Sequence, residues 1–262
     1  MPKLSANLGF LFDDRPILDR VAASGAAGFR AVEFHWPFEI PPAAMRAALA
    51  AAGTVPLAVN VPLGGPDDFG LASAPGREVA FRETFATALD WVVAVGGTAV
   101  HCVAGVAAEV TARHRDTLTA NLADAAARAA PHGIAILVEM INQRDRPGFV
   151  IRSIEEAAAI VRDTGHANAR VMFDTYHVQA MQGDVVRRLE RHLDVIGHVQ
   201  VAAVPDRGEP DGGELDHAFV LSELDRLGYT GWVGAEYRPR AGRTEDGLGW
   251  RDRLAARGVV WT

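Results

Sequence analysis

The sequence is poor in several features that would point it elsewhere. Its 262 residues include one cysteine, Cys102, so no internal disulfide can form and nothing indicates an oxidising compartment. Basic residues are scattered, with 26 Lys and Arg against 33 Asp and Glu and a formal charge of -7, whereas a nucleic-acid face needs clustered cations. The opening MPKLSANLGF has no apolar stretch followed by a small-residue cleavage site, so no secretory leader is expected. The most apolar window, Trp91–Ala108, is broken by Gly96, Gly97, His101 and Gly105, and a membrane span needs about 20 apolar residues without such breaks. No GxGxxG or Walker-type loop occurs, and Leu11-Phe12-Asp13-Asp14, after the first apolar run, has no glycine; nucleotide cofactors are not expected. Linkers and low-complexity segments are lacking too. What remains is a cytoplasmic protein with a small-molecule partner, no nucleic acid and no membrane, and a composition compatible with a homo-oligomer.

What is present is a repeated alternation. Short apolar runs at Leu4–Phe10, Ala31–Phe34, Pro56–Val61, Ala99–Val103, Ala135–Met140, Arg170–Asp174, His198–Ala202 and Trp232–Glu236 read as strands. Helical patterns lie between them near Ile17–Ala26, Ala43–Ala52, Arg77–Val95, Arg113–Ala130, Ile154–Asp163, Val185–His192 and Ala218–Leu227, and a last helix begins near Thr244. The punctuation agrees. Pro41-Pro42 and Gly53 bound the second helix, Ser153 with Glu156 forms a capping box, and Gly165 and Gly228 suit helix ends. Eight β-then-α units predict a parallel sheet. The missing phosphate loop favours closure, so the expected fold is α/β, a single (β/α)8 TIM barrel over residues 1–262, close to the usual size of about 250 residues.

In such barrels the active site lies at the C-terminal strand ends. Strands five to eight each carry an acidic or amide residue there: Glu139, Asp174, Gln200 and Glu236. One carboxylate at a strand end is ordinarily a salt bridge or loop cap. Three converging with a carboxamide would repel one another without a cation. An all-oxygen, anionic set suits one hard divalent ion, Mg²⁺ or Mn²⁺, better than zinc, which prefers His and Cys.

Other polar residues gather nearby. His177, three residues after Asp174, is expected to contact substrate or orient a ligand. His198 shares a strand face with Gln200 one layer deeper; it stands behind the ligands or is a satisfied core histidine, and His101 on strand four has the same two readings. The loop after strand five supplies Asn142, Arg144 and Asp145, and the long loop after strand seven supplies Arg207. A guanidinium clamps a substrate carboxylate well; Arg207 is the first choice, ahead of Arg144 and the Lys3 region, although either loop reads equally well as solvated surface.

The segments AGFRAVEF, VEMINQRDRPGF, FDTYHVQ, IGHVQVA, PDRGEPDGGELD, and GYTGWVGAEYRP with EDGLGW resemble the hydroxypyruvate isomerase family of the xylose-isomerase-like TIM barrels. The resemblance runs over nearly the whole chain from SANLGFLF. It implies a divalent metal held by Glu139, Asp174, Gln200 and Glu236, with Glu139 and Glu236 as the acid/base pair that interconverts hydroxypyruvate and tartronate semialdehyde through an enediolate. Sugar epimerases of the superfamily usually carry histidine at the Gln200 position, so the glutamine favours the isomerase branch. Three departures stand out: Gly208 where the family's R-H-E-P motif has histidine, Asp216 in place of asparagine, and His35-Trp36 in place of an apolar-aromatic pair. All fall in loops expected to touch substrate. Alternatives are a 2-oxotetronate isomerase, a keto-sugar 3-epimerase and an inosose dehydratase-like lyase; more remote are an endonuclease IV-like nuclease, which would need more than these nine histidines, and a non-catalytic sugar-binding barrel.

Overall fold

The structure, a computed structural model, describes residues 3–261. Eight parallel strands, Lys3–Asn7 (β1), Ala31–Phe34 (β2), Val55–Asn60 (β3), Ala99–His101 (β4), Ala135–Glu139 (β5), Ala169–Asp174 (β6), Ile196–Val201 (β7) and Trp232–Ala235 (β8), pair in chain order and close between β1 and β8. Around them lie Ile17–Ala26 (α1), Pro42–Ala52 (α2), Glu78–Val95 (α3), Ala112–Ala129 (α4), Ile154–Asp163 (α5), Thr175–Met181 (α6), Val185–His192 (α7), His217–Arg226 (α8), Thr244–Gly247 (α9) and Trp250–Ala255 (α10). The expected α/β barrel is therefore the observed fold. Among the described residues, no helix is long and apolar enough to cross a membrane.

The local signals act as expected. Gly53 takes a left-handed φ of 65° after α2, and the Ser153 side chain accepts the Glu156 N–H at 3.1 Å. Glu156 accepts from Arg152 N at 2.9 Å, one residue outside a strict capping box. Several strand boundaries move by one to three residues, β7 for instance starting at Ile196 rather than His198. β1 stops at Asn7, not Phe10, because Leu11 N turns back onto the Asn7 carbonyl at 2.9 Å. β4 stops at His101 rather than Val103. One helix was not legible: α6 follows β6 directly, and its N-cap is the strand-end residue Asp174, whose Oδ1 accepts from Tyr176 N at 2.8 Å.

Most apolar side chains pack between sheet and helices in one large core. Inside the barrel, a smaller cluster including Ala58, Ala99, Leu137 and Met172 forms an apolar floor. Strand alternation then puts polar residues one layer above: Leu137 is followed by Glu139 and Met172 by Asp174 on the same inward face. Register sets their heights, with Asp174 beside Gln200 and Asn7 beside Glu33.

Candidate active site at the barrel mouth

A cavity of about 180 Å³ opens above that floor, at the C-terminal strand ends. Glu139, Gln200 and Glu236 line it, with Asn7, Glu33 and His101. Asp174 sits directly behind, 1% exposed. Possible ligand atoms of Glu139, Asp174 and His177 lie within 4.8 Å of one another. Glu236 joins this group through Arg207, whose Nη2 donates to Glu236 Oε1 at 2.7 Å and to Asp174 Oδ2 at 3.3 Å. The other Glu236 oxygen accepts from Asn7 Nδ2 at 3.0 Å.

The electrostatics follow from crowding anions in a dry place. Burial, then the Glu236 and Asp174 charges, pushes the Glu139 carboxyl well above the usual carboxylate range. Burial pushes Glu236 up to about 8 against the pull of Arg207, and raises Asp174 likewise. Arg207 is held more firmly protonated by Glu236 and Asp174 despite its own burial. Two oxygens, Glu139 Oε1 and Gln200 Oε1, are buried without a hydrogen-bond partner. Partnerless buried acceptors next to repelling carboxylates are what a cation would relieve. The donor set can thus hold a metal ion.

Three histidines surround this layer, and His177 is close enough to Glu139 and Asp174 to share a cation with them. His177 Nδ1 accepts the Asn142 backbone N–H at 3.3 Å, so Nε2 carries the proton and faces Asp174 Oδ2 at 3.5 Å and Glu139 Oε1 at 3.8 Å. Burial, with Arg207 nearby, keeps that ring well below the usual histidine range and neutral. His101 contacts Asn60 Oδ1 at 3.1 Å and lies 3.8 Å from Glu139; burial, then the His35 and His198 charges, lowers it to about 3. His198 is buried with Nε2 3.1 Å from Glu33 Oε2, and Glu33 in turn accepts from Gln200.

The loop residues divide. Asp145 lines the cavity and accepts from Tyr176 Oη at 2.9 Å. Asn142 is fully buried and spends its donors on His177 and Asp145. Arg144 lies half-exposed outside the lining, on Tyr176 Oη and the Pro205 carbonyl. Arg207 is in the cavity, held at a left-handed φ of 57° and already shared by two carboxylates. Lys3 is corrected outright. It starts β1 at the opposite end of the barrel, over the Trp232 ring, and cannot reach the mouth.

The departures also divide. His35 and Trp36 line the cavity. Gly208 does not. A Cβ there would come within 2.5 Å of the Arg240 guanidinium, which binds Asp206 and Glu209 and ties the β7 loop to the β8 loop. Asp216 is the N-cap of α8, accepting from Phe219 N, and pairs with Arg257 at the surface. Neither touches the cavity, contrary to expectation.

The sequence reading missed Glu33. It is 2% exposed, accepts from Ser5 Oγ at 2.6 Å and Gln200 Nε2 at 2.8 Å, and faces His198. Burial opposes its charge, but His198, Ser5 and Gln200 together hold it below the ordinary range. A signal existed: an acid inside the apolar run Ala31–Phe34 is as anomalous as those that marked strands five to eight.

Fold and cavity together define a barrel enzyme with a buried carboxylate cluster, able to hold a metal ion, at its C-terminal face. Residues 21–254 match the family described as xylose isomerase-like TIM barrel, and the chain belongs to that family. It is 45% identical over 254 residues to a 2-oxo-tetronate isomerase of Cupriavidus necator, covering 95% of this chain and 97% of that one. It is 34% identical over 256 residues to the hydroxypyruvate isomerase of Escherichia coli, covering 96% and 99%. A crystal structure described as an AP endonuclease of family 2 from Brucella melitensis superposes with a TM-score of 0.93 at 37% identity, covering 97% and 99%. A D-allulose 3-epimerase from Methylomonas, at 19% identity and a TM-score of 0.83, shares the fold. The chain is an isomerase, and these likenesses support sugar acids as its substrates.

Proposed function

We propose that the protein interconverts 2-oxo-3-hydroxy acids and their 2-hydroxy-3-oxo isomers, with the four-carbon 2-oxo-tetronate as substrate and three-carbon hydroxypyruvate as the second reading. The observation that carries the reaction is the pair Glu139 and Glu236. Two buried carboxyls, on β5 and just beyond β8, face one cavity, and burial holds both above the ordinary carboxylate range, which suits groups that must take and return a proton. The greater likeness to the 2-oxo-tetronate isomerase, 45% against 34%, favours the longer acid.

One glutamate removes the proton on C3, and the C–H electron pair becomes the C2–C3 double bond of an enediolate as the C2 carbonyl oxygen takes the charge. The O3 proton moves to O2, the other glutamate delivers a proton to C2, and C3 becomes the carbonyl. No oxidant is consumed. The divalent ion, Mg²⁺ or Mn²⁺, held by Glu139, Asp174, Gln200 and Glu236, supplies polarisation of the carbonyl and lowers the repulsion among the carboxylates. His177, neutral, turns its Nε2–H toward the carboxylates, 3.5 Å from Asp174 Oδ2 and 3.8 Å from Glu139 Oε1. Arg207 supplies positive charge for the substrate carboxylate. An epimerase would instead return the proton to C3.

The test is an activity panel of 2-oxo-tetronate, hydroxypyruvate and neutral ketohexoses with Mg²⁺ or Mn²⁺. Glu139→Gln and Glu236→Gln are expected to abolish turnover and the exchange of the C3 hydrogen with D₂O. Exchange retained in both variants, or turnover confined to ketohexoses, rejects the proposal.

A further inference from the structure

We infer that Glu33 is a positioning residue for Gln200. Its carboxylate grips the nitrogen end of the side-chain amide and so leaves the carbonyl oxygen as the atom offered to a cation. This rests on the proposed role of Gln200 as a metal ligand.

The two ends of a glutamine amide are chemically opposite, and which end faces a site decides whether it can bind a metal. Here the choice is forced. A carboxylate only accepts, and Glu33 Oε2 lies 2.8 Å from Gln200 Nε2. Glu33 is itself held by Ser5 Oγ on β1, which donates to it at 2.6 Å, with His198 Nε2 on β7 lying 3.1 Å from its other oxygen. Strand eight leaves room for the pair: a Cβ on Gly234 would overlap Glu33 Oε1 and come within 3.0 Å of Gln200 Cγ. At the far end of the amide, Gln200 Oε1 is buried with no hydrogen-bond partner, in a residue that lines the cavity. Four strands thus contribute to holding one amide one way round. Without the Glu33 acceptor the amide can turn, and its N–H₂ would meet the cation.

Mn²⁺ binding to chelator-stripped protein, by titration calorimetry, tests this without reference to turnover. Glu33→Asp keeps the charge but withdraws the acceptor from Gln200, and is expected to weaken Mn²⁺ about 10–100-fold, the usual range for losing a partner behind a ligand. Glu33→Gln keeps a carbonyl acceptor at full length and is expected to stay near wild type. In a Gln200→Ala background, Glu33→Asp should add no further loss. Both Glu33 variants retain a polar side chain no larger than the original, and their melting curves establish folding. The reverse ranking, with Glu33→Asp near wild type and Glu33→Gln weakened, makes Glu33 a source of charge only and overturns the inference. So does an undiminished Glu33→Asp effect in the Gln200→Ala background. Wild-type affinity in Gln200→Ala removes Gln200 from the metal site, a separate failure of the underlying reading.

Discussion

Arg207 Nη2 lies 2.7 Å from Glu236 Oε1, and the same nitrogen reaches Asp174 Oδ2 at 3.3 Å. The guanidinium thus balances two carboxylates that the proposed metal ion would also touch. Arg207 is further confined by the rings of Phe10 and Tyr176, 4.7 and 5.0 Å from its Cζ.

Removing that cation gives the first prediction. Arg207→Ala leaves two buried carboxylates uncompensated, at a cost of roughly 3 kcal/mol in metal-free protein. Mn²⁺ at about 100 times its Kd adds about 2.7 kcal/mol to any form that binds it, and more where it also relieves that repulsion. Thermal unfolding with EDTA and with Mn²⁺ is expected to show the gap between Arg207→Ala and wild type narrowing when metal is present. A constant gap means that the ion and Arg207 do not share these carboxylates.

The Gly208–Arg240 contact predicts a loop effect rather than a direct one. Gly208→His must move the Arg240 guanidinium, which bridges Asp206 at 2.7 Å and Glu209 at 3.1 Å. The Asp206 pair is exposed and contributes little, but Glu209 is buried and loses its charge partner, so stability should fall by about 1–3 kcal/mol. The 205–214 loop, which carries Arg207, should be cut faster by limited proteolysis, and KM for the acid substrate should rise. Arg240→Ala should reproduce both effects, and the double variant should add little. Full additivity argues that the two residues act separately.

Asp216→Asn restores the residue the family pattern leads one to expect. Because asparagine also caps a helix and the Arg257 pair is at the surface, the change should alter stability by less than about 0.5 kcal/mol. Substrate preference should not change. A shift in the ratio of kcat/KM for hydroxypyruvate and 2-oxo-tetronate contradicts the placement of Asp216 outside the site.

His217 predicts a pH dependence of stability away from the carboxylate cluster. It is the first residue of α8, 1% exposed with Nε2 3.1 Å from Thr175 Oγ1, and burial lowers it to about 4 although the Pro210 carbonyl favours its charge. The folded protein therefore keeps it neutral where the unfolded chain, with a pKa of about 6.5, takes up a proton. Stability falls as pH drops from about 6.5 to 4, with a full penalty of roughly 3 kcal/mol below that window and none above it. His217→Gln is expected to flatten the slope of unfolding free energy against pH by up to one proton across that window. An unchanged slope rejects the assignment.

Much of this was legible from one chain. Period-two apolar runs, proline and glycine at helix boundaries, and the acid or amide closing strands five to eight led to the barrel and to Glu139, Asp174, Gln200 and Glu236. The same logic applied to strand two would have found Glu33. Helix α6 was hidden because Asp174 ends a strand and caps a helix at once, so no turn residue separates the two elements. Asn142 was mistaken for a substrate contact because its loop is polar; in the fold its polarity is spent on His177.

The sequence by itself determined the architecture and the residue types at the mouth, because strand alternation and helix capping are local and act within a few positions. Tertiary structure alone decided the partners. Asn7 meets Glu236 across 229 residues and Gln200 meets Glu33 across 167. Closure of β1 onto β8, and the register shift that sets Met172 beside His198 and Asp174 beside Gln200, bring these groups to hydrogen-bonding distance. Spacing along a chain carries no record of such distances, since they arise only when the sheet has closed.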